Sequence, residues 1–100
     1  MDIEKKPTKA KIEEWKKQYG SIFRIEVDGR ECYLKPPSRK ALGYASMAAK
    51  QNPLAFNEVI LRECWLTGDE EIRTDDTLFL SVAPHLDRLI EVKEAELEKL

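Results

Sequence analysis

Two short runs that alternate apolar and polar residues, 22–27 and 30–35, flank the dipeptide Asp28-Gly29. Asp-Gly readily takes the positive φ angles of a two-residue hairpin turn, so the pattern predicts a β-hairpin. A turn of this length also fixes the register, and it places four apolar side chains on one face: Phe23, Ile25, Cys32 and Leu34. A lone hairpin is marginally stable in water. Helices must therefore cover the apolar face, or another chain must extend the sheet.

Helical spacing appears on both sides of this hairpin. Before it, Ile12, Trp15 and Tyr19 predict a short helix that opens at Pro7-Thr8 and ends at Gly20. After it, Pro36-Pro37 ends the strand and Ser38 caps a helix over 39–50. The apolar face of that second helix is small, since it consists mainly of alanines. Its Gly43 weakens the helix by about 1 kcal/mol relative to alanine, and we interpret this glycine as a residue that serves close packing.

The remaining pattern predicts two more helices and an acidic loop. Asn52 caps a helix that begins at Pro53 and runs to about residue 66, where Thr67-Gly68 closes it. Its apolar residues cover more than one narrow stripe, so we expect it to be the central helix. Residues 68–76, GDEEIRTDD, are predicted to form a solvated loop, and Asp75 or Asp76 at its end is predicted to cap the last helix.

The last predicted helix reaches the end of the chain and is kinked or split by Pro84. A heptad-like spacing of 4, 3, 4 and 3 residues connects Leu86, Ile90, Lys93, Leu97 and Leu100. Two heptads fall short of a coiled coil. Two interpretations stay open: the helix extends from the body, or it packs back onto it.

One hundred residues make about one domain. Together the elements predict an α+β domain over 7–100, dominated by about four helices packed with the hairpin, after a disordered N-terminus at 1–6. The net charge of −2 supplies no overall attraction for nucleic acid or an anionic membrane. Because the chain shows neither a signal-peptide pattern nor a long apolar run, we expect a cytoplasmic protein that does not enter a membrane.

Candidate chemistry is sparse. Cys32 and Cys64 are predicted to be buried thiols, and His85, the single histidine, to be a surface residue. The acidic segment lacks the ligand order of a calcium loop, and no phosphate-binding or zinc-protease motif occurs. The sequence therefore predicts no catalytic residues, no metal site and no cofactor, and we expect a protein that is not an enzyme.

The hairpin ends in LKPPSRKAL, and the stretch NPLAFNEVILRECWLTGDEEI follows after a helix. In this order, over about residues 22–89, the signals resemble the small tail assembly chaperone-like proteins of tailed bacteriophages and prophages. The resemblance implies a non-enzymatic protein of the host bacterial cytoplasm that coats the helical tape-measure protein through apolar helical surfaces. Self-association into a homo-oligomer is compatible with this role. The contact residues that we expect on exposed helix faces are Tyr44, Met47, Trp65, Leu66, Leu89 and Leu97.

Two other functions stay open. A regulatory module that binds one host or bacterial protein would use the hairpin and the acidic loop. A small nucleic-acid-binding domain would instead use Lys35, Arg39 and Lys40, which cluster where the second helix begins and where free backbone donors favour an anion. Few aromatic residues lie near this cluster, so nucleic acid is the less favoured partner.

Overall fold

A computed structural model describes residues 6–100. Its elements in chain order are α1 Lys9–Tyr19, β1 Phe23–Val27, β2 Arg30–Leu34, α2 Arg39–Ala49, α3 Pro53–Cys64, β3 Trp65–Gly68, α4 Glu71–Thr74, α5 Asp76–Val82 and a 3₁₀ helix at Ala83–Leu89. The hairpin strands are β1 and β2, and a third strand, β3, follows α3, the longest helix. The predicted α+β class is confirmed. The prediction of a disordered 1–6 segment falls, apart from Lys6, outside the described residues.

The hairpin has the predicted register. Phe23 lies opposite Leu34, Ile25 opposite Cys32 and Val27 opposite Arg30. Asp28 and Gly29 both have positive φ, at 50° and 77°, as a type I′ turn requires. The local turn chemistry thus sets which side chains of the hairpin enter the core.

The first three helices begin where the sequence predicts, at Pro7-Thr8, Ser38 and Asn52. The side-chain oxygens of Thr8, Ser38 and Asn52 each accept a hydrogen bond from a backbone N–H in the first turn. This satisfies one of the donors that a helix start leaves without an internal partner. The helix boundaries at these three ends therefore follow from single residues.

The helix that begins at Pro53 ends at Cys64, earlier than the predicted residue 66. Trp65 to Gly68 form β3, which pairs antiparallel with β2 and makes β2 the central strand. The register places Tyr33 opposite Thr67 and Leu34 opposite Trp65, so Leu66 is the extra residue of a β-bulge. The prediction of a helix to residue 66 was wrong because pairing with β2 satisfies this backbone outside a helix.

Gly68 is required by that pairing rather than by a helix end. Its φ is 150°, and a Cβ atom built on it would lie 2.5 Å from the Cα atom of Cys32. The close approach of two backbones therefore excludes a side chain at this position. Gly43 shows the opposite situation, since nothing lies within 4 Å of a Cβ built there. The interpretation of Gly43 as a close-packing residue was wrong.

The acidic segment is not a free loop. Ile72 lies at the centre of the short helix α4 and is fully buried, and Asp69 extends the sheet through two bonds to Glu31. The backbone N–H of Asp69 donates to the carbonyl of Glu31 at 2.9 Å, and its carboxylate accepts from the N–H of Glu31 at 3.0 Å. The Arg30 Nε donates to Glu71 Oε1 at 2.7 Å. Tertiary contacts to the hairpin therefore order a segment whose composition is typical of a solvated loop.

The helical prediction also fails at the end of the chain. Asp75 caps α5 as expected, and α5 gives way to the 3₁₀ helix next to Pro84, but residues 90–100 lie in no helix. Leu86 and Leu89 are buried in the 3₁₀ helix, whereas Leu97 is fully exposed. The heptad-like residues therefore separate into a packed part and an unpacked part. Residues 91–100 are all exposed, and a segment of this length is too short to hold a helix without packing against the body.

The core lies between the apolar face of the sheet and helices α2, α3, α5 and the 3₁₀ helix. Its buried cluster consists of Cys32, Leu34, Ala45, Val59, Ile60, Leu61, Cys64, Ile72, Val82, Leu86 and Leu89. Phe23, Ile25 and Val27 of β1 pack against it. Helices thus cover the apolar face of the hairpin, one of the two solutions that the sequence required.

Candidate functional site

The outer face of α2 carries two large apolar side chains that are exposed to solvent. Tyr44 is 49% and Met47 68% exposed, and their three-residue spacing places them on the same side of α2. A neighbouring side of α2 buries Ala41 and Ala45 against the core. We call Tyr44 and Met47 the α2 outer face. Both were predicted contact residues, and the structure places both in solvent.

Trp65 and Leu66 occupy a different environment from the one expected. They lie in β3 and are partly buried, and the Arg73 guanidinium sits 4.1 Å from the centre of the Trp65 ring. That stacking is a cation–π contact that covers one face of the indole. The structure therefore ties Trp65 into the sheet and α4, away from an exposed helix face.

Leu89 and Leu97 are also separated. Leu89 is 2% exposed and belongs to the core, so its choice as an exposed contact residue was wrong. The reason is that the 3₁₀ helix turns Leu89 inward together with Leu86. Leu97 is fully exposed, but it lies beyond the last helix rather than on one. The six predicted contact residues therefore do not form one surface.

Lys35 does not present a free ammonium group to an anion. Its Nζ lies 4.7 Å from the centre of the Tyr19 ring, and Lys35 and Glu63 line the same small cleft. Arg39 and Lys40 are exposed at the start of α2, where the Ser38 hydroxyl already accepts the N–H of Ala41. This arrangement weakens the predicted anion site, because an aromatic ring and a carboxylate share the lysine's surroundings.

Both cysteines are free and fully buried, as predicted. Burial disfavours the thiolate and raises the pKa of Cys32 and of Cys64 to about 11. A thiol with such a pKa is a poor nucleophile at neutral pH. These side chains therefore contribute packing.

The arginines of the hairpin form ion pairs with carboxylates of the hairpin and of α4. The Arg30 guanidinium donates to Glu71 and lowers the pKa of that carboxyl group. Arg24 Nη2 lies 3.2 Å from Glu26 Oε1 and 2.7 Å from Glu31 Oε1, so the two carboxylates share this guanidinium.

His85 is exposed on the 3₁₀ helix, as expected. Within residues 6–100, no three His, Cys, Asp or Glu side chains are grouped so as to hold a metal ion.

A cleft beside β1 was missed by sequence reasoning. Its volume is about 350 Å³, and β1 and the 3₁₀ helix form its two walls. The lining residues are Phe23, Arg24, Ile25, Glu26, His85, Arg88 and Leu89. The sequence held only an indirect signal, the requirement that something cover or extend the hairpin.

Within the described part of the chain, no helix is long and apolar enough to cross a membrane. No protein-family model, curated protein or solved structure matches the chain.

Proposed function

We propose that this protein is a non-enzymatic binding protein that coats a long helical partner through the α2 outer face, as a tail assembly chaperone coats the tape-measure protein. The observation that carries the proposal is the exposure of Tyr44 and Met47 on a regular, well-capped helix. Methionine and aromatic side chains at helical spacing suit the binding of an amphipathic helix. The choice of a tape-measure protein as partner rests on the sequence resemblance.

The packing of α2 supports this use of its outer face. Its inner face consists mainly of alanines, together with Leu42, and lies close to the core, while Tyr44 and Met47 remain in solvent. Folding therefore does not use Tyr44 or Met47 as core residues. A partner that covers them removes apolar surface from water, which is worth about 25 cal/mol per Å² before the costs of association.

Co-expression with the tape-measure protein of the same genome tests the proposal. We expect the chain to keep that protein soluble, and light scattering during size-exclusion chromatography to show many copies on each tape-measure chain. The double variant Tyr44→Ser, Met47→Gln should lose this effect. Leu80→Gln is the matched control, because Leu80 is similarly exposed on a different helix, α5.

Three results would contradict the proposal. The tape-measure protein stays insoluble with the wild-type chain present, or the double variant solubilises it as well as the wild type does, or a single copy binds. A complex with one copy on one partner would instead favour the regulatory binding module.

A further inference from the structure

β1 is an edge strand whose outer backbone groups pair with no other segment of residues 6–100. The two-residue turn makes Val27 and Arg30 a hydrogen-bonded pair, and the alternation of antiparallel pairing extends this to Ile25 with Cys32 and to Phe23 with Leu34. Arg24 and Glu26 therefore direct their N–H and C=O groups away from β2. The backbone groups of Glu31, which lies opposite Glu26, also point out of the hairpin, and they bond to Asp69. This confirms which pairs of the hairpin are hydrogen-bonded to each other and which are not.

The open edge faces the cleft between β1 and the 3₁₀ helix. β1 is the end strand of the sheet, and within residues 6–100 Arg24 and Glu26 make no backbone hydrogen bond to any other segment. The floor of the cleft includes the apolar side chains of Phe23, Ile25 and Leu89. An extended segment bound there would gain backbone hydrogen bonds from the edge and apolar contacts from the floor.

The second wall of the cleft adds positive charge. Arg88 and His85 lie on the exposed side of the 3₁₀ helix, and among the described residues neither forms an ion pair or a side-chain hydrogen bond. Arg24 brings a second guanidinium group to the rim, although Glu26 and Glu31 share it. The unpaired charge of the cleft is therefore positive, and it favours an acidic segment.

The chain itself contains a segment of that chemistry. Residues 91–100 hold four glutamates and two lysines, lie in no helix or strand, and are all exposed. Within them, residues 94–98 read Glu-Ala-Glu-Leu-Glu, a strict alternation that places the glutamates on one face of a strand and Ala95 and Leu97 on the other. Five such residues match the length of β1.

The position of this segment also matters. The Ser21 hydroxyl donates to Glu91 Oε2 at 2.9 Å, so the segment starts beside the beginning of β1, at one end of the cleft. Ten extended residues span roughly 33–36 Å, about twice the length of a five-residue strand. The segment is therefore long enough to reach the cleft of a neighbouring molecule.

We propose that residues 94–98 of a second copy of this chain add a strand to the open edge of β1, in a reciprocal exchange that forms a dimer. The glutamates meet Arg88 and Arg24 at the rim, and Ala95 and Leu97 lie over the apolar floor. A two-fold arrangement lets each copy supply one segment and one edge. This dimer needs no other protein, so it stands or falls separately from the proposed chaperone function.

The first test is the mass of the full chain in solution. Light scattering over a concentration series should show a shift from 11.6 kDa toward twice that mass, and a chain shortened to residues 1–90 should remain monomeric at every concentration. Monomeric full-length protein up to millimolar concentration overturns the proposal. A shortened chain that still dimerises overturns it as well.

Point variants test the residues. Leu97→Asp and Arg88→Glu should each weaken dimerisation about ten-fold or more, because one removes an apolar contact and the other reverses a charge. Leu100→Asp and Arg39→Glu are the matched controls, an equally exposed leucine outside 94–98 and an exposed arginine outside the cleft. Arg88→Glu combined with Glu94→Arg and Glu96→Arg should recover part of the lost affinity. Equal effects of test and control variants contradict the proposed contacts.

Amide hydrogen exchange tests the strand itself. The N–H groups of Arg24 and Glu26 should exchange more slowly in the full chain at high concentration than in the 1–90 chain. Slow hydrogen exchange in a full-length monomer would show that the segment folds back onto its own β1, and it would overturn the proposed dimer. Unchanged rates in a dimer would show association through another surface, such as a helix formed by 91–100.

Discussion

Helices α2 and α3 have nearly the same length and pack against each other, yet they divide their apolar residues in opposite ways. α3 buries four side chains, Val59, Ile60, Leu61 and Cys64. α2 buries two alanines and leaves Tyr44 and Met47 in solvent. The comparison shows that one helix stabilises the fold while the other covers it and keeps a second apolar face free. Apolar content alone does not distinguish these roles.

The largest expected effect is on α3. Ile60 is fully buried, so Ile60→Ala should lower the free energy of unfolding by about 2–5 kcal/mol through lost burial and a cavity. Urea denaturation monitored by circular dichroism measures this. Leu54→Ala on the exposed start of the same helix is the control and should cost less than about 1 kcal/mol. Similar losses at both positions would show that α3 is not the central helix.

The next effect concerns the inner face of α2. Ala45 is fully buried, so Ala45→Leu should destabilise the protein by about 1–3 kcal/mol by forcing extra volume between helix and core. Ser46→Leu, on an exposed position of the same helix, should change stability by less than about 0.5 kcal/mol. If Ala45→Leu were stabilising, the contact between α2 and the core would be loose, and the comparison with α3 would weaken.

A smaller effect of opposite sign is expected at Gly43. The position is exposed, helical and open, so Gly43→Ala should stabilise the protein by about 0.5–1 kcal/mol. A thermal melt should show a higher Tm. Gly68→Ala is the contrasting variant, because its Cβ would meet the backbone of Cys32, and its Tm should fall. A destabilised Gly43→Ala would restore the interpretation that this glycine serves close packing.

The smallest change in stability is expected from the double variant Tyr44→Ser, Met47→Gln. Both side chains are largely exposed, so the free energy of unfolding should change by no more than about 0.5 kcal/mol. Denaturation curves of the variant and the wild type should nearly superimpose, while partner binding is lost. A larger loss of stability would mean that the α2 outer face supports the fold, and a binding defect could not then be assigned to lost contacts.

Sequence reasoning succeeded where a few neighbouring residues decide the structure. The hairpin register follows from Asp28-Gly29, and the helix starts follow from Thr8, Ser38 and Asn52. It failed at Trp65 to Gly68, because a short apolar stretch at the end of a helix continues as helix or strand according to what lies beside it. Here β2 lies beside it and supplies hydrogen-bond partners.

The candidate surfaces also include features that local sequence predicts and features that it does not. Exposure of Tyr44 and Met47 was predictable, since the other side of the helix carries alanines. The burial of Leu89 was not predictable, because a continuous helix and a 3₁₀ turn after Pro84 point the Leu89 side chain in different directions. The cleft beside β1 has walls that are about sixty residues apart in the chain, so no local pattern reveals it.

By itself, the sequence determined the α+β class, the hairpin and its register, the first three helix starts and the two buried thiols. Each depends on local turn or capping chemistry or on a short periodic pattern. Only the tertiary structure decided that β3 completes the sheet, that Ile72 orders the acidic segment and that residues 90–100 lie outside any helix. These features depend on distant backbone partners and on apolar surfaces that form only when the chain has folded.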